Sequence, residues 1–149
     1  SMDGTENAYL LHKELGEWMT DNVTVVRFND RLLKTDDKIQ ELLERYQNIN
    51  INDTAKWSNQ GASFTRQLEN MLHLSRVITL GAYHRNESRG AHYKPEFPDR
   101  NDEEFLKTTM AKFDEKLKSP MFHYEDVDTS LIQPRKRDYS KKKGDKQNA

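Results

Sequence analysis

Apolar positions recur at intervals of three and four in three stretches of the chain, and such spacing predicts helices with one buried face each. The first runs from about Thr5 to Asn22 and aligns Ala8, Leu11, Leu15, Trp18 and Asn22. The second, from about Asp30 to Gln47, sets Leu32, Leu33, Ile39, Leu42, Leu43 and Tyr46 on one side. Asn29 stands where a side chain can cap the first turn. The third, Ser63 to His84, carries a seam of Phe64, Leu68, Met71, Ser75, Ile78 and Ala82. Three such helices can close an antiparallel, up-down-up bundle of spectrin-repeat type. The joint at Val23–Phe28 is short, whereas Asn48–Gly61 is longer and polar and places Trp57 to fold back as a lid.

Beyond Arg85 the helical period stops. Pro95 and Pro98 break helices, and Gly90 permits a turn that other residues resist. Asn101-Asp102-Glu103-Glu104 can start one short helical turn. Phe105–Phe113 and Met121–Asp128 read as strands joined through Asp114, Ser119 and Pro120, an antiparallel hairpin that must lie on another surface to be stable. The expected architecture is mainly α: a three-helix bundle, then an extended segment with a small β-hairpin and a basic tail. Its divisions are residues 1–4 (a tag remnant and disordered lead), 5–86 (the bundle), 87–139 (the extended segment) and 140–149 (a disordered, lysine-rich tail).

Composition sharpens this picture. Of 149 residues, 34% are hydrophobic and 33% charged, and the mean hydropathy is −1.07. Such a chain can bury one modest core, so part of it should be tail or surface built to sit against something else. From Gln133 onward seven basic and two acidic residues give +5, leaving −6 on the body. A solvated end accounts for that tail, and the acidic body offers nucleic acid no continuous footprint. The absence of cysteine excludes disulfides, thiolate metal sites and Cys nucleophiles. No apolar run is long enough to span a membrane, and no signal peptide opens the chain, so a soluble, cytosolic polypeptide is expected.

Autonomous chemistry has no foothold in the text. There is no GxGxxG, Walker loop, HExxH or GxSxG. His12, His73, His84, His92 and His123 never combine at metal-ligand spacing, so neither a catalytic nor a metal set is expected. One stretch stands out: Arg85 through Tyr93, then Phe97 through Glu104. Arginines, a glutamate and a histidine crowd a turn at a helix end. Guanidinium forks favour bidentate pairing with carboxylate or phosphate. Arg85, Glu87 and Arg89 can therefore either pair locally to fix the helix terminus or serve an interface or ligand.

Four separated motifs then carry a resemblance. ESRGAHY (Glu87–Tyr93) with FPDRNDEEFLK (Phe97–Lys107), QLENMLHLSRVITLGAYHRN before them, WMTDNVTVVR (Trp18–Arg27) and PRKRDY (Pro134–Tyr139) together resemble the C-terminal part of the flavoprotein subunit of succinate dehydrogenase and fumarate reductase. The wording is nearest the Gram-positive bacterial type, and the match runs from about Thr5 to Tyr139. L-aspartate oxidase shares the ESRG-type turn but lacks the terminal Arg-x-Tyr, and a stand-alone helical interaction module is the competing reading from another class.

The resemblance implies a parent that oxidises succinate to fumarate through covalently held FAD and passes electrons to an iron–sulfur subunit and on to quinone. The flavin-anchoring and catalytic residues of that family lie upstream of this stretch. The chain itself should thus be catalytically inert and bind no FAD. Its implied partners are its own N-terminal FAD domain, the iron–sulfur subunit and, through that, a membrane anchor, with no nucleic acid and no membrane insertion of its own. The implied place is cytoplasmic, peripheral on the inner face of the cell membrane. Arg89 and Arg137 match arginines that the family points toward the flavin and that support its covalent attachment, the alternative being ion-pair struts between domains. Arg85, Glu87, His92, Tyr93 and Arg100 are expected at a domain or subunit interface.

Overall fold

A computed structural model describes residues 4–51, 55 and 57–135. Three long helices, α1 (Ala8–Val23), α2 (Asn29–Tyr46) and α3 (Gln60–His84), are followed by one helical turn, α4 (Asp102–Phe105), and two strands, β1 (Lys107–Asp114) and β2 (Ser119–Asp126). The chain is mainly helical, as expected. Asn7 caps α1 by accepting from the amides of Tyr9 and Leu10, and Asn59 caps α3 through Ala62. The lysine-rich end, Arg137 and the first three residues lie outside the described residues.

Leu11, Leu15, Ile39, Leu42, Tyr46, Leu68 and Leu72 form the main core, and Val23, Leu32 and Ala82 form a smaller one at the other end. The first turns of α2 thus meet the last turns of α1 and α3, so neighbouring helices run antiparallel. Arg45 ties the opposite end, bonding Glu6 at 3.0 Å and Glu14 at 2.6 Å. Between α2 and α3, Arg76 and Asp36 form an almost fully buried pair at 2.8 Å, and Gln40 bonds the same carboxylate.

Several positions differ from the sequence reading. The buried face of α3 is Thr65, Leu68, Leu72, Ser75, Arg76, Thr79 and Ala82. Leu68, Ser75 and Ala82 of the expected seam are on it and Phe64 packs against the core, but Met71 and Ile78 are exposed while Leu72, Arg76 and Thr79 are buried. Thr65 bonds back to the Gly61 carbonyl and Thr79 donates to the Met19 sulfur, so these hydroxyls are buried at little cost. Leu33 is also exposed, and Trp57, 88% accessible, forms no lid. Asn29 is not a cap. Phe28 holds that position without a side-chain bond, and the Glu96 carboxylate accepts from the Asn29 amide at 3.0 Å instead.

The hairpin pairs Thr109 with Tyr124, Ala111 with Phe122 and Phe113 with Pro120. Phe122 packs on α3 at Gly81, where an added Cβ would stand 3.3 Å from the ring. Phe113 meets His73 edge-on at 5.4 Å, and His84 lies 5.5 Å from Phe122. Two of the five histidines therefore serve as packing for the hairpin. At its tip Asp114 accepts from the amides of Lys116 and Leu117, and Arg76 reaches out of the bundle to the Lys118 carbonyl at 3.0 Å. One guanidinium thus joins α2, α3 and the hairpin.

Candidate functional site

Where α3 ends, the chain turns back on itself around Glu87. This carboxylate is wholly buried, and a buried charge is tolerated only where donors surround it. Arg85 donates from Nε at 2.8 Å, Arg89 from Nε and Nη2 at 2.8 and 2.9 Å, and the Asn101 amide at 2.9 Å. Burial alone would push the Glu87 carboxyl up, but the bonds from Arg89, Asn101 and Arg85 outweigh it and hold the group below its ordinary range. Held anionic and saturated with donors, Glu87 is a structural hub and not a proton acceptor.

The hub extends in two directions. Arg85 reaches the carbonyls of Phe105 and Lys107 and the Thr109 hydroxyl, tying the loop to α4 and β1. Arg89 also bonds Asp102 at 2.6 Å, and Arg100 bonds the other oxygen of that carboxylate at 2.6 Å. The hydrogen bond that Arg89 donates lowers the Asp102 carboxyl, and the ones it donates to Glu87 raise the Arg89 guanidinium. Arg100 continues to the Arg135 carbonyl at 2.8 Å, drawing the segment before Arg137 to this loop. Gly90, at φ +59°, supplies the left-handed turn between Arg89 and His92, whose backbone groups bond each other at 2.8 and 3.0 Å.

Of the expected interface residues, Arg85, Glu87 and Arg100 thus join Arg89 in one ion-pair network. His92 stands beside it: Arg27 donates to its Nδ1 at 2.6 Å, so Nε2 carries the proton and donates to the Arg85 carbonyl at 2.9 Å. Burial, with Arg27, Lys94 and Arg85 adding repulsion, keeps the imidazole below its ordinary pKa and neutral. Tyr93 contributes backbone, bridging Val25 and Arg27 at 3.1 and 2.9 Å, while its ring is partly exposed.

Sequence reasoning missed three members. Asp102 lay within a quoted motif but was read only as a helix starter. Arg27 is distant in sequence and reaches the loop through the turn between α1 and α2. Lys94 is fully buried, its ammonium bonded to the Tyr83 carbonyl at 2.8 Å and Asn86 Oδ1 at 3.0 Å and flanked by the Tyr83 and Phe97 rings. Burial pushes it down to about 8. A lysine beside a proline carries no periodic signal of burial.

Both the sequence and the fold match a known family. The profile for the fumarate reductase flavoprotein C-terminal region aligns with residues 12–139, and the chain belongs to that family. The succinate dehydrogenase flavoprotein subunit of Bacillus subtilis is 78% identical over 143 residues, 96% of this chain and 24% of that protein. The fumarate reductase flavoprotein subunit of Haemophilus influenzae is 33% identical over 92% of this chain and 23% of its own length. Among solved structures, a variant quinol fumarate reductase flavoprotein of Escherichia coli superposes with a TM-score of 0.86 at 32% identity, covering 91% of this chain and 23% of that one. The chain therefore spans about a quarter of the length of these relatives.

Proposed function

We propose that this chain is the C-terminal domain of a succinate dehydrogenase flavoprotein, whose parent oxidises succinate to fumarate and hands electrons to an iron–sulfur subunit and quinone. The 78% identity to the Bacillus subtilis subunit carries this reading; the fumarate reductase relatives match at about a third. The parent's FAD accepts the hydride of succinate oxidation. This domain supplies no catalytic residue; it packs on the FAD domain and presents residues 87–135 toward the iron–sulfur partner. In that arrangement the parent works on the cytoplasmic side of the membrane, held there through its partners.

Within the domain, Arg89 is the residue best placed to serve the flavin. Glu87 and Asp102 occupy its Nε and Nη2, while Nη1 has no partner among the described residues and the side chain is 27% accessible. The guanidinium is thus fixed on one edge and free on the other, which suits a preorganised charge facing an anionic ring. Arg137, two residues beyond the Arg135 carbonyl held by Arg100, is assigned to the same task. The chain's own residues fit a supporting role to the cofactor and not its cradle.

The test begins with the reading frame upstream of Asp3. A preceding FAD domain of a few hundred residues, together with succinate-dependent dye reduction by the full-length protein, is expected. A natural start at Met2 would return the chain to the class of free-standing interaction modules.

A further inference from the structure

Five of the arginines in the fold hold a carboxylate: Arg45, Arg76, Arg85, Arg89 and Arg100 each make at least one ion pair at 3.0 Å or closer. Arg27 does not. Its Nε bonds the Val23 carbonyl at 3.0 Å and its Nη1 the neutral His92 ring, and no acid lies within ion-pair distance among the described residues. Burial already disfavours its charge. The side chain borders a cleft of about 230 Å³ between α3 and the hairpin, walled by Ile78, Ala82, Ala111 and Phe122 and lined on its polar side by Arg85, His92 and Thr109. Both His92 nitrogens are in use, and Arg85 is spent on Glu87, two carbonyls and Thr109. The free donors here are on Arg27.

We propose that this cleft receives an aspartate or glutamate side chain from the part of the flavoprotein that precedes this domain, with Arg27 as its receptor. The inference rests on the reading of the chain as a C-terminal domain. Three observations select this occupant. The charges acting on His92 are those of Arg27, Lys94 and Arg85; Glu87 is saturated, and Glu96, the acid that acts on Lys94, is engaged by the Asn29 amide, so the cleft favours an anion. Its surroundings carry exposed Val25, Val26, Ile78 and Tyr93, an apolar collar about a half-buried cation that a small solute would leave wet but a protein surface would cover. About three-quarters of each relative's length lies outside this chain, so such a surface is at hand.

Hydrogen exchange read by mass spectrometry tests the assignment on the full-length flavoprotein beside the 149-residue chain. In the full-length protein, residues 24–28 and 92–93 should exchange about tenfold more slowly than in the short chain. Arg27→Gln should abolish that added protection while the core of α3, residues 68–79, keeps its own. Arg27→Lys, which retains the charge without the fork, should keep part of the added protection and covers the case in which the glutamine variant unfolds. Equal exchange in both wild-type forms, or full protection in Arg27→Gln, overturns the proposal. Protection in the short chain that grows with its concentration overturns it in favour of a second copy. An upstream sequence without a flavoprotein domain fails the parent reading itself, a result visible before any exchange is measured.

Discussion

Glu87 and His92 show how much of the loop is held by charge at single atoms. Glu87→Ala strips the shared acceptor from Arg85, Arg89 and the Asn101 amide, and breaking such a buried network should cost about 3 kcal/mol in chemical denaturation of this chain. His92 has its folded pKa below the ordinary value of 6.5. Its contribution is therefore complete above that value and is lost as pH falls through it, because the unfolded state takes up the proton first. Unfolding midpoints measured between about pH 8 and pH 5 should fall more steeply for the wild type than for His92→Gln. Lys94 carries the same sign at higher pH: with its folded value pushed down to about 8, stability rises as pH climbs from there toward the unfolded value, because the unfolded chain keeps its proton longer. The arginine–glutamate pairing was readable in the sequence, because residues two apart around a glycine turn can meet. Arg27, 65 residues from His92, and the buried Lys94 were not, since only the folded chain brings them there.

At the level of elements, the period of three and four located the three long helices but placed only part of the buried face of α3. Leu68, Ser75 and Ala82 lie on the buried face as the spacing predicts, but the neighbours that α3 meets leave Met71 and Ile78 outside and select Leu72 and Thr79, whose hydroxyl finds a partner inside. Leu72→Ala should accordingly cost about 3 kcal/mol, whereas Met71→Ala should stay within about 0.5 kcal/mol, both measurable by thermal or urea denaturation. The α2 cap was illegible for a related reason: Glu96 supplies it from another segment, and a carboxylate at a helix start also complements the helix dipole. Arg76 gives the hairpin its anchor. Arg76→Met should leave the buried Asp36 with only Gln40 as partner, which should cost about 3 kcal/mol. It should also free the Lys118 carbonyl, so amides of β1 and β2 should exchange faster together with those of α3. The hairpin itself was legible to within two residues, since alternation and the Asp114 turn are local properties.

For the molecule as a whole, the low apolar share of the sequence has a structural counterpart. Two small clusters hold the bundle, and the segments after Arg85 are fastened by ion pairs and carbonyl acceptors more than by apolar burial. Such a surface suits a domain completed by a larger body, which agrees with a family whose sampled members are about four times as long. The motifs, not the periodicity, carried that identification. The most direct measurement is covalent flavin content of the full-length protein, read as flavin fluorescence of the denatured band per unit of polypeptide, in the wild type, Arg89→Ala and Arg137→Ala. A severalfold loss of bound flavin in both variants, with the polypeptide still folded, is the expected result. Flavin content and succinate oxidation equal to the wild type in both would contradict it.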